Sequence, residues 1–199
     1  MNTLVSVNNL SKNFSSFEAV KEISFSINES EILGLLGPNG CGKTTTIGMM
    51  LGLLKPTSGE VIINGLNVEN NRINLLKKMN FISPYIELPK KLTVKENLMV
   101  YGKLYSVHGI NNRIDYLAET LRLGEFINKK TGELSSGQKN RVSLAKAVVN
   151  DPDILLLDEP TASLDPETGD FVRTLIEKIS SEKKMSILLA SHNMDEVKR

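Results

Sequence analysis

The strongest constraint on this chain comes from eight consecutive residues, 37–44, which read GPNGCGKT. They match the pattern G-x-x-x-x-G-K-[ST] at every fixed position. The apolar run 31–36 before them is typical of a strand, and residues 45–51 after them favour a helix. Glycines in such a loop let successive backbone N–H groups point inward, forming an anion cradle at a helix N-terminus. The segment predicts a strand, loop and helix that hold nucleotide phosphates, because an ordinary glycine turn leaves the flanking elements unexplained.

Individual positions of this loop carry different parts of the expected chemistry. Lys43 supplies a positive charge for the β- and γ-phosphates, and the Thr44 hydroxyl is placed to bind Mg²⁺. Cys41 is the single cysteine, so an internal disulfide is excluded. Its thiol is either inert filler or a group whose alkylation would block nucleotide binding. The expected nucleotide-binding residues are Gly37, Pro38, Asn39, Gly40, Cys41, Gly42, Lys43, Thr44 and Thr45.

The bulk composition is that of an ordinary soluble globular protein. The chain has 199 residues, enough for one domain with a sizeable core, or for one core and a small lobe. A net charge of +1 provides no general attraction to nucleic acid, so no nucleic-acid partner is expected. No apolar run approaches the roughly 18 residues of a membrane span. The N-terminus lacks signal-peptide features, and one cysteine fits a reducing cytosol.

Hydrophobic patterning divides the chain into a core and an inserted helical lobe. Short β-rich runs occupy the first third, and apolar strands return at 153–157 and 185–190. We therefore assign residues 1–84 and 151–199 to a nucleotide-binding core and residues 85–150 to a lobe.

Three helices are expected in the lobe. The first opens at the capping box Thr93-Val-Lys-Glu96 and runs to about Val107. The others are expected at about 112–123 and 138–150. In the core, the first helix is expected to end before Pro56, Asp165 to cap a helix running to about Ser180, and Asn193 to begin another.

A second motif supplies acidic groups. The apolar strand ending at Asp158 is followed directly by Glu159, which is the form of a Walker B motif. Asp158 at the strand tip can hold Mg²⁺ opposite Thr44. Glu159, one residue further, can polarise an attacking water. An apolar strand followed by two acids is weak evidence alone and becomes strong when a phosphate loop lies upstream.

A third motif, at residues 134–138, narrows the class of nucleotide-binding protein. Residues 134–138 read LSSGQ and resemble the LSGGQ signature of the ATP-binding-cassette (ABC) family, with Ser136 in place of the first glycine. Residues 160–165 are similar to the family's D-loop, which ends at Asp165. His192 looks like the family's switch histidine after the last strand. These motifs stand in the family's order and spacing over almost the whole chain.

The resemblance implies an α/β fold and a set of ligands. The expected fold is a P-loop NTPase core with a mixed or parallel sheet, an N-terminal antiparallel β subdomain and an inserted α-helical lobe. Residues 1–199 form one such domain, with the C-terminal end of the family domain absent. The implied ligands are ATP and Mg²⁺, the latter on Thr44 and Asp158.

The resemblance also implies a dimer and a set of catalytic residues. In a head-to-tail homodimer, or a pseudo-dimer with a second ABC ATPase, each ATP lies between one subunit's phosphate loop and its partner's signature. Here the signature residues are Ser135, Ser136, Gly137 and Gln138. The implied catalytic residues are Glu159, Lys43 and His192. The alternative for His192 is that it is a lone buried histidine without a catalytic role.

Two further sites correspond to functional positions of the family. Phe14 stands where the family has an aromatic that stacks on adenine; packing in the core and a role for Phe17 instead are the alternatives. The stretch 81–89 lacks the family's glutamine, and Pro84 falls at that position beside Ser83. We therefore expect slower or differently coupled hydrolysis rather than loss of ATP binding.

The function implied is that of an ATPase subunit that drives a separate transmembrane permease, as in exporters of drugs, lipids or polysaccharides. The permease is expected to dock around residues 85–91 and to hold the chain at the inner face of the cell membrane, in the cytoplasm. The alternative is a non-transport ABC ATPase that acts on ribosomes or DNA. A metabolic P-loop kinase would explain neither the signature nor His192.

Overall fold

The computed structural model describes residues 2–84, 86–161 and 164–193. Its N-terminal part forms a four-stranded antiparallel sheet in the order β2-β1-β4-β5. The strands are β1 (Thr3–Phe14), β2 (Phe17–Asn28), β4 (Ser58–Ile63) and β5 (Leu66–Asn67). Strands β1 and β2 extend well past the predicted runs, because they continue as a hairpin to its turn at Ser15 and Ser16.

The second sheet is parallel, with the order β3-β8-β7-β6. Its strands are β3 (Ile32–Leu36), β6 (Met79–Ile82), β7 (Ile154–Asp158) and β8 (Ser186–Ser191). Leu36 pairs with Ser191, and Asp158 pairs with Ala190. The carboxyl ends of β3, β7 and β8 therefore lie at one edge, where the segments that follow them meet.

Six α-helices accompany the sheets within the described ranges. They are α1 (Lys43–Met50), α2 (Val68–Leu76), α3 (Val94–Leu104), α4 (Ile110–Thr120), α5 (Ser136–Val148) and α6 (Pro166–Lys183). Two single 3₁₀ turns, Gly124–Phe126 and Thr131–Glu133, join α4 to α5. None of these helices combines the length and the apolar composition needed to cross a membrane. The α/β class with an antiparallel N-terminal sheet is confirmed.

Helix α1 ends at Met50, before Pro56 as predicted, and the N–H groups of Leu53 and Leu54 turn back to the Gly48 carbonyl. The predicted end of helix α3 is wrong. Helix α3 ends at Leu104 instead of Val107, since Ser106 adopts a left-handed backbone with φ 56°.

Other boundaries also differ from the predictions. Helix α4 is shifted about two residues towards the N-terminus, and α6 continues three residues beyond Ser180. Helix α2 was not predicted, and its start is capped by the Asn67 side chain, which accepts from the Glu69 N–H at 3.0 Å. The helix expected to begin at Asn193 lies outside the described residues.

The predicted caps are confirmed. Thr93 Oγ1 accepts from the Glu96 N–H at 3.1 Å, and Glu96 Oε2 accepts from the Thr93 N–H at 2.8 Å. Asp165 Oδ1 accepts from the Thr168 N–H at 3.0 Å. That backbone hydrogen bond stabilises the carboxylate and lowers the pKa of Asp165. A negative group at this position also suits the positive end of the α6 dipole.

The apolar core consists of two clusters on opposite faces of the parallel sheet. Alternate residues of β7 serve different clusters: Leu155 and Leu157 face the helices α3–α6, whereas Ile154 and Leu156 face the antiparallel sheet and α1. Of the helices in the region 85–150, α5 packs on β6 of the sheet, and α3 packs on α5 and α4. The proposed boundary between core and lobe stays a prediction.

Replacing Leu98 by Ala tests this packing. Leu98 lies on α3 and is completely buried, whereas Leu104 on the same helix is 72% exposed. We expect Leu98→Ala to lower the free energy of unfolding by about 2–5 kcal/mol through lost burial and a cavity. The matched variant Leu104→Ala should change it by less than about 0.5 kcal/mol. Urea denaturation measures both, and equal effects would contradict the described packing.

Candidate nucleotide-binding and hydrolysis site

The motif 37–44 forms the predicted strand, loop and helix. Strand β3 leads into it, and the N–H of Gly37 donates to the Ser191 carbonyl of β8 at 3.2 Å. Gly42 is the N-cap of α1, and its carbonyl accepts from the Thr46 N–H at 2.8 Å. The loop is therefore held at its start by the parallel sheet and at its end by the helix.

Two glycines in the loop have left-handed backbones but different surroundings. A Cβ atom on Gly42, φ 95°, would lie 2.2 Å from the carbonyl oxygen of Ala19 and 2.8 Å from Val20 Cγ2. A Cβ atom on Gly40, φ 84°, would meet nothing within 4 Å. The end of the loop thus packs tightly on β2, and its middle faces open space.

Lys43 points into the loop rather than into solvent, and only 7% of it is exposed. Its Nζ donates to the carbonyl oxygens of Gly37 at 2.6 Å and Pro38 at 3.1 Å. It also lies 3.6 Å from Glu159 Oε1. A strong positive charge is therefore held beside the loop amides, with weak neutral acceptors and one carboxylate as its neighbours.

Thr44 and Asp158 meet across 114 positions of sequence. Thr44 Oγ1 donates to Asp158 Oδ2 at 2.7 Å, and Asp158 is almost completely buried. Outside the masked positions, no cluster of three His, Cys, Asp or Glu side chains could hold a metal unaided. A Mg²⁺ ion suits such a site, because it keeps several waters and takes few protein ligands beside substrate phosphates.

Glu159 has an unusual backbone for its residue type. Its φ is 51°, in the left-handed region, and its N–H donates to the Ala190 carbonyl at 2.9 Å. A left-handed conformation costs a residue with a Cβ atom about 1–2 kcal/mol. Such strain persists only where surrounding contacts determine it, and it clusters at functional sites.

The Glu159 carboxylate is held on one side. Its Oε2 lies 2.6 Å from His192 Nδ1. Its Oε1 is buried and makes no hydrogen bond to any part of the chain that the structure describes. The structure thus brings Glu159 and His192 together, and their catalytic roles stay predictions. His192 is half-exposed, so the alternative of a lone buried histidine is wrong.

The LSSGQ segment begins α5, and Ser135 is its N-cap. Ser135 Oγ accepts from the Gln138 N–H at 3.3 Å, and Gln138 Oε1 accepts from the Ser135 N–H at 3.0 Å. This is a complete capping box of the S-x-x-Q type. Ser135 and Ser136 are exposed, whereas a Cβ on Gly137 would lie 2.8 Å from Thr168 Cγ2 of α6.

The aromatic candidates lie at the far end of the β1–β2 hairpin. Phe14 and Phe17 pair across its turn and are 44% and 60% exposed, so core packing of Phe14 is wrong. The Nζ of Lys12 lies 5.1 Å from the centroid of the Phe14 ring. Both rings have faces available for stacking, and the choice between them stays a prediction.

A pocket of about 240 Å³ lies between the segment after β6, the start of α5 and the end of β7. Ser83 and Pro84 line it on one side, and Glu159 and Pro160 line it on the other. Tyr85 lies outside the described residues. At its edge the Asn140 side-chain amide donates to the Pro160 carbonyl, a contact that no sequence motif indicated.

Comparison with known proteins gives one consistent family. Residues 20–162 match the family model described as ABC transporter. The chain is 36% identical over its whole length to the bacitracin transport ATP-binding protein BcrA of Bacillus licheniformis, and 37% identical over 96% of its length to the Nod factor export ATP-binding protein I of Burkholderia lata. It spans 65% and 63% of the lengths of these two relatives.

Solved structures of ABC proteins have a fold similar to that of this chain. The structure of cbiO1 from Clostridium perfringens, part of the ABC transporter complex cbiONQ, matches with a TM-score of 0.87 at 28% identity, over 99% of this chain and 81% of that one. A dimeric ATP-binding cassette in a post-hydrolysis state, bound to ADP and Pi, matches with a TM-score of 0.85 at 28% identity, over 96% and 89%.

The contrast between Gly42 and Gly40 gives a test of the loop. Gly40→Ala should cost about 1–2 kcal/mol of stability, because only the left-handed backbone is strained. Gly42→Ala adds a collision with the backbone of β2 and should cost clearly more, with the loop displaced from the helix start. Thermal unfolding and nucleotide titration of both variants measure this. Equal losses would show that β2 does not hold the loop.

Proposed function

The chain belongs to the ABC transporter family, and from that premise we propose that it is a subunit that binds and hydrolyses ATP to drive transport. The observation that carries the proposal is the meeting of three separated segments, the loop 37–44, Asp158 with Glu159, and His192, at one edge of the parallel sheet. Thr44 contacts Asp158 at 2.7 Å, and Glu159 contacts His192 at 2.6 Å. A phosphate cradle, two metal-ligand oxygens and a held carboxylate are thereby assembled in one place.

Binding begins at the loop 37–45. Its amides and the start of the α1 dipole attract the phosphates, and Lys43 Nζ exchanges its bonds to the carbonyls of Gly37 and Pro38 for bonds to the β- and γ-phosphates. A charged acceptor forms stronger hydrogen bonds with an ammonium group than a neutral carbonyl does. The exchange therefore favours the bound state.

Thr44 and Asp158 are the residues that would hold Mg²⁺, through one hydroxyl and one carboxylate oxygen. A bound Mg²⁺ would supply positive charge that offsets the negative charge developing on the phosphates. Asp158 is buried and fixed at the end of β7, so it presents its oxygen without a conformational change.

Glu159 is proposed as the group that accepts a proton from the attacking water. His192 holds Oε2, which leaves the buried Oε1 to face the water. The water oxygen attacks the γ-phosphorus in line, the bond from that phosphorus to the bridging oxygen breaks, and ADP and phosphate leave. Lys43 stays beside the transferred group and stabilises its negative charge.

The dimer follows from the position of the signature turn. Ser135, Ser136 and Gly137 begin α5 with exposed residues, at a helix end that suits an anion. We propose that this end, with Gln138 and the neighbouring Asp165, meets the ATP of a second cassette. The similar cassette that is dimeric and bound to ADP and Pi supports the formation of a dimer.

Transport is the proposed use of the cycle. The similar proteins bear the names of transport and export ATP-binding proteins, and none of the described helices could cross a membrane. In line with these names, we propose that a separate permease forms the pathway and holds the chain at the cytoplasmic face of the membrane. Formation and opening of the ATP dimer would move the permease.

Replacing Glu159 by Gln tests the proposed base. The amide has nearly the same shape but cannot accept the proton, so turnover should fall by about 10²-fold or more, while ATP binding and ATP-driven dimerisation persist. Phosphate release and size-exclusion chromatography measure these. Glu119→Gln, at an exposed position of α4, is the matched control and should behave as wild type. Wild-type turnover by Glu159→Gln would exclude this base.

The nucleotide affinities of two phenylalanine variants test which ring, Phe14 or Phe17, stacks on the adenine base. Stacking of a base on an aromatic ring contributes about 1–3 kcal/mol. We therefore expect Phe14→Leu to raise the Kd for ATP by about 5- to 100-fold, and Phe17→Leu to change it little. Titration with a fluorescent ATP analogue measures both. The opposite order would transfer the role to Phe17.

A further inference from the structure

We propose that Asn140 is a positioning residue that links the signature turn of α5 to the backbone of Glu159 in the same subunit. This inference rests on the proposed ATPase function and adds to it a route between the two nucleotide sites of a dimer. It concerns a residue outside every motif identified in the sequence.

The contact is direct. Asn140 lies one turn into α5, and its Nδ2 donates to the carbonyl oxygen of Pro160, the residue after Glu159. On the other side, the Glu159 N–H donates to the Ala190 carbonyl at 2.9 Å. The backbone around Glu159 is therefore held from both directions, by strand β8 and by helix α5.

The hydrogen bond from Asn140 is important because the backbone of Glu159 is strained. Glu159 has φ 51°, which a glutamate adopts only where its surroundings determine it. The proline at 160 restricts its own φ but supplies no N–H of its own. The Pro160 carbonyl is thus the nearest backbone group after Glu159 that another element can hold, and Asn140 holds it.

A pocket lies beside the Asn140 contact, between α5 and the segment after β7. The pocket of about 240 Å³ separates them, and its α5 side is lined by Ser136, Lys139, Asn140 and Ser143. Its opposite side includes Glu159 and Pro160. The Asn140 amide is therefore a direct polar contact through which a movement of α5 reaches Pro160.

A second contact lies on the same side of α5. Gly137, three residues before Asn140, packs so closely on Thr168 that a Cβ would approach Thr168 Cγ2 to 2.8 Å. Residues three apart share a helix face, so this face meets the start of α6 as well as Pro160. The first turn of α5 cannot shift without moving one or both of them.

The consequence concerns a dimer. When the partner's ATP binds the signature turn, the position of α5 changes or becomes fixed, and Asn140 transfers that change to Glu159. The base of one site is thereby aligned only when the other site's nucleotide is in place. Hydrolysis at the two sites becomes coupled through a side-chain hydrogen bond within each subunit.

The experiment compares Asn140→Leu, which keeps the branched shape and removes the donor, with Asn140→Gln, which retains an amide. The control is Asn150→Leu near the other end of the same helix, where the Asn150 amide donates to the Lys77 carbonyl at 3.0 Å. Each variant is assayed for kcat, KM for ATP, and ATP-driven dimerisation. Asn140→Ala is measured in parallel, so that the comparison does not depend on the folding of one variant.

We expect Asn140→Leu and Asn140→Ala to lower kcat about ten-fold, because a misplaced catalytic group costs rate rather than binding. KM and dimerisation should stay within about two-fold of wild type, and Asn140→Gln should restore most of kcat. Unchanged kcat in the two donor-free variants would overturn the inference, as would an equal loss in Asn150→Leu. An inactive wild-type chain would instead refute the proposed function itself.

Discussion

The parallel pairing of β8 with both β3 and β7 is the constraint on which the whole site depends. It sets Leu36 beside Ser191 and Asp158 beside Ala190, so that three chain segments leave the sheet at one level. A slip of one residue in either ladder would reverse every side chain of a strand and bury the wrong face. Because β7 is buried on both faces, such a slip would be costly in both clusters. The register that the core requires is thus the register that brings Thr44 to Asp158.

Charge is balanced locally around the assembled groups. Lys43 is the cation, and Glu159 is its nearest carboxylate at 3.6 Å. His192 contacts the other oxygen of the same carboxylate. The arrangement orients Glu159 and leaves Lys43 bound mostly to neutral carbonyls. An arriving polyphosphate can therefore attract Lys43 without competing against a close, fully formed ion pair.

The parts of the fold that could be predicted are those whose chemistry is local. The phosphate loop, the Thr93 box and the Asp165 cap each depend on a few neighbouring residues, and each forms as expected. Helix α2 escaped prediction because its polar sequence VENNRINLL has weak periodicity, and it is positioned by packing of Val68 and Leu75. The hydrogen bond from Asn140 to Pro160 joins residues 20 positions apart in the chain, and no local sequence pattern predicts it. The catalytic roles assigned from motifs stay predictions, because the geometry shows proximity and not turnover.

Strand β7 contributes alternate side chains to both apolar clusters, and this division has a thermodynamic consequence. Neither cluster can lose its packing without exposing a strand that the other needs. The antiparallel sheet and the helices 94–148 are therefore tied into one cooperative unit, although no strand among the described residues pairs the two sheets. A core mutation in either cluster therefore lowers the free energy of unfolding of the whole unit. The phosphate loop lies at the edge of this unit, so it loses stability together with both clusters.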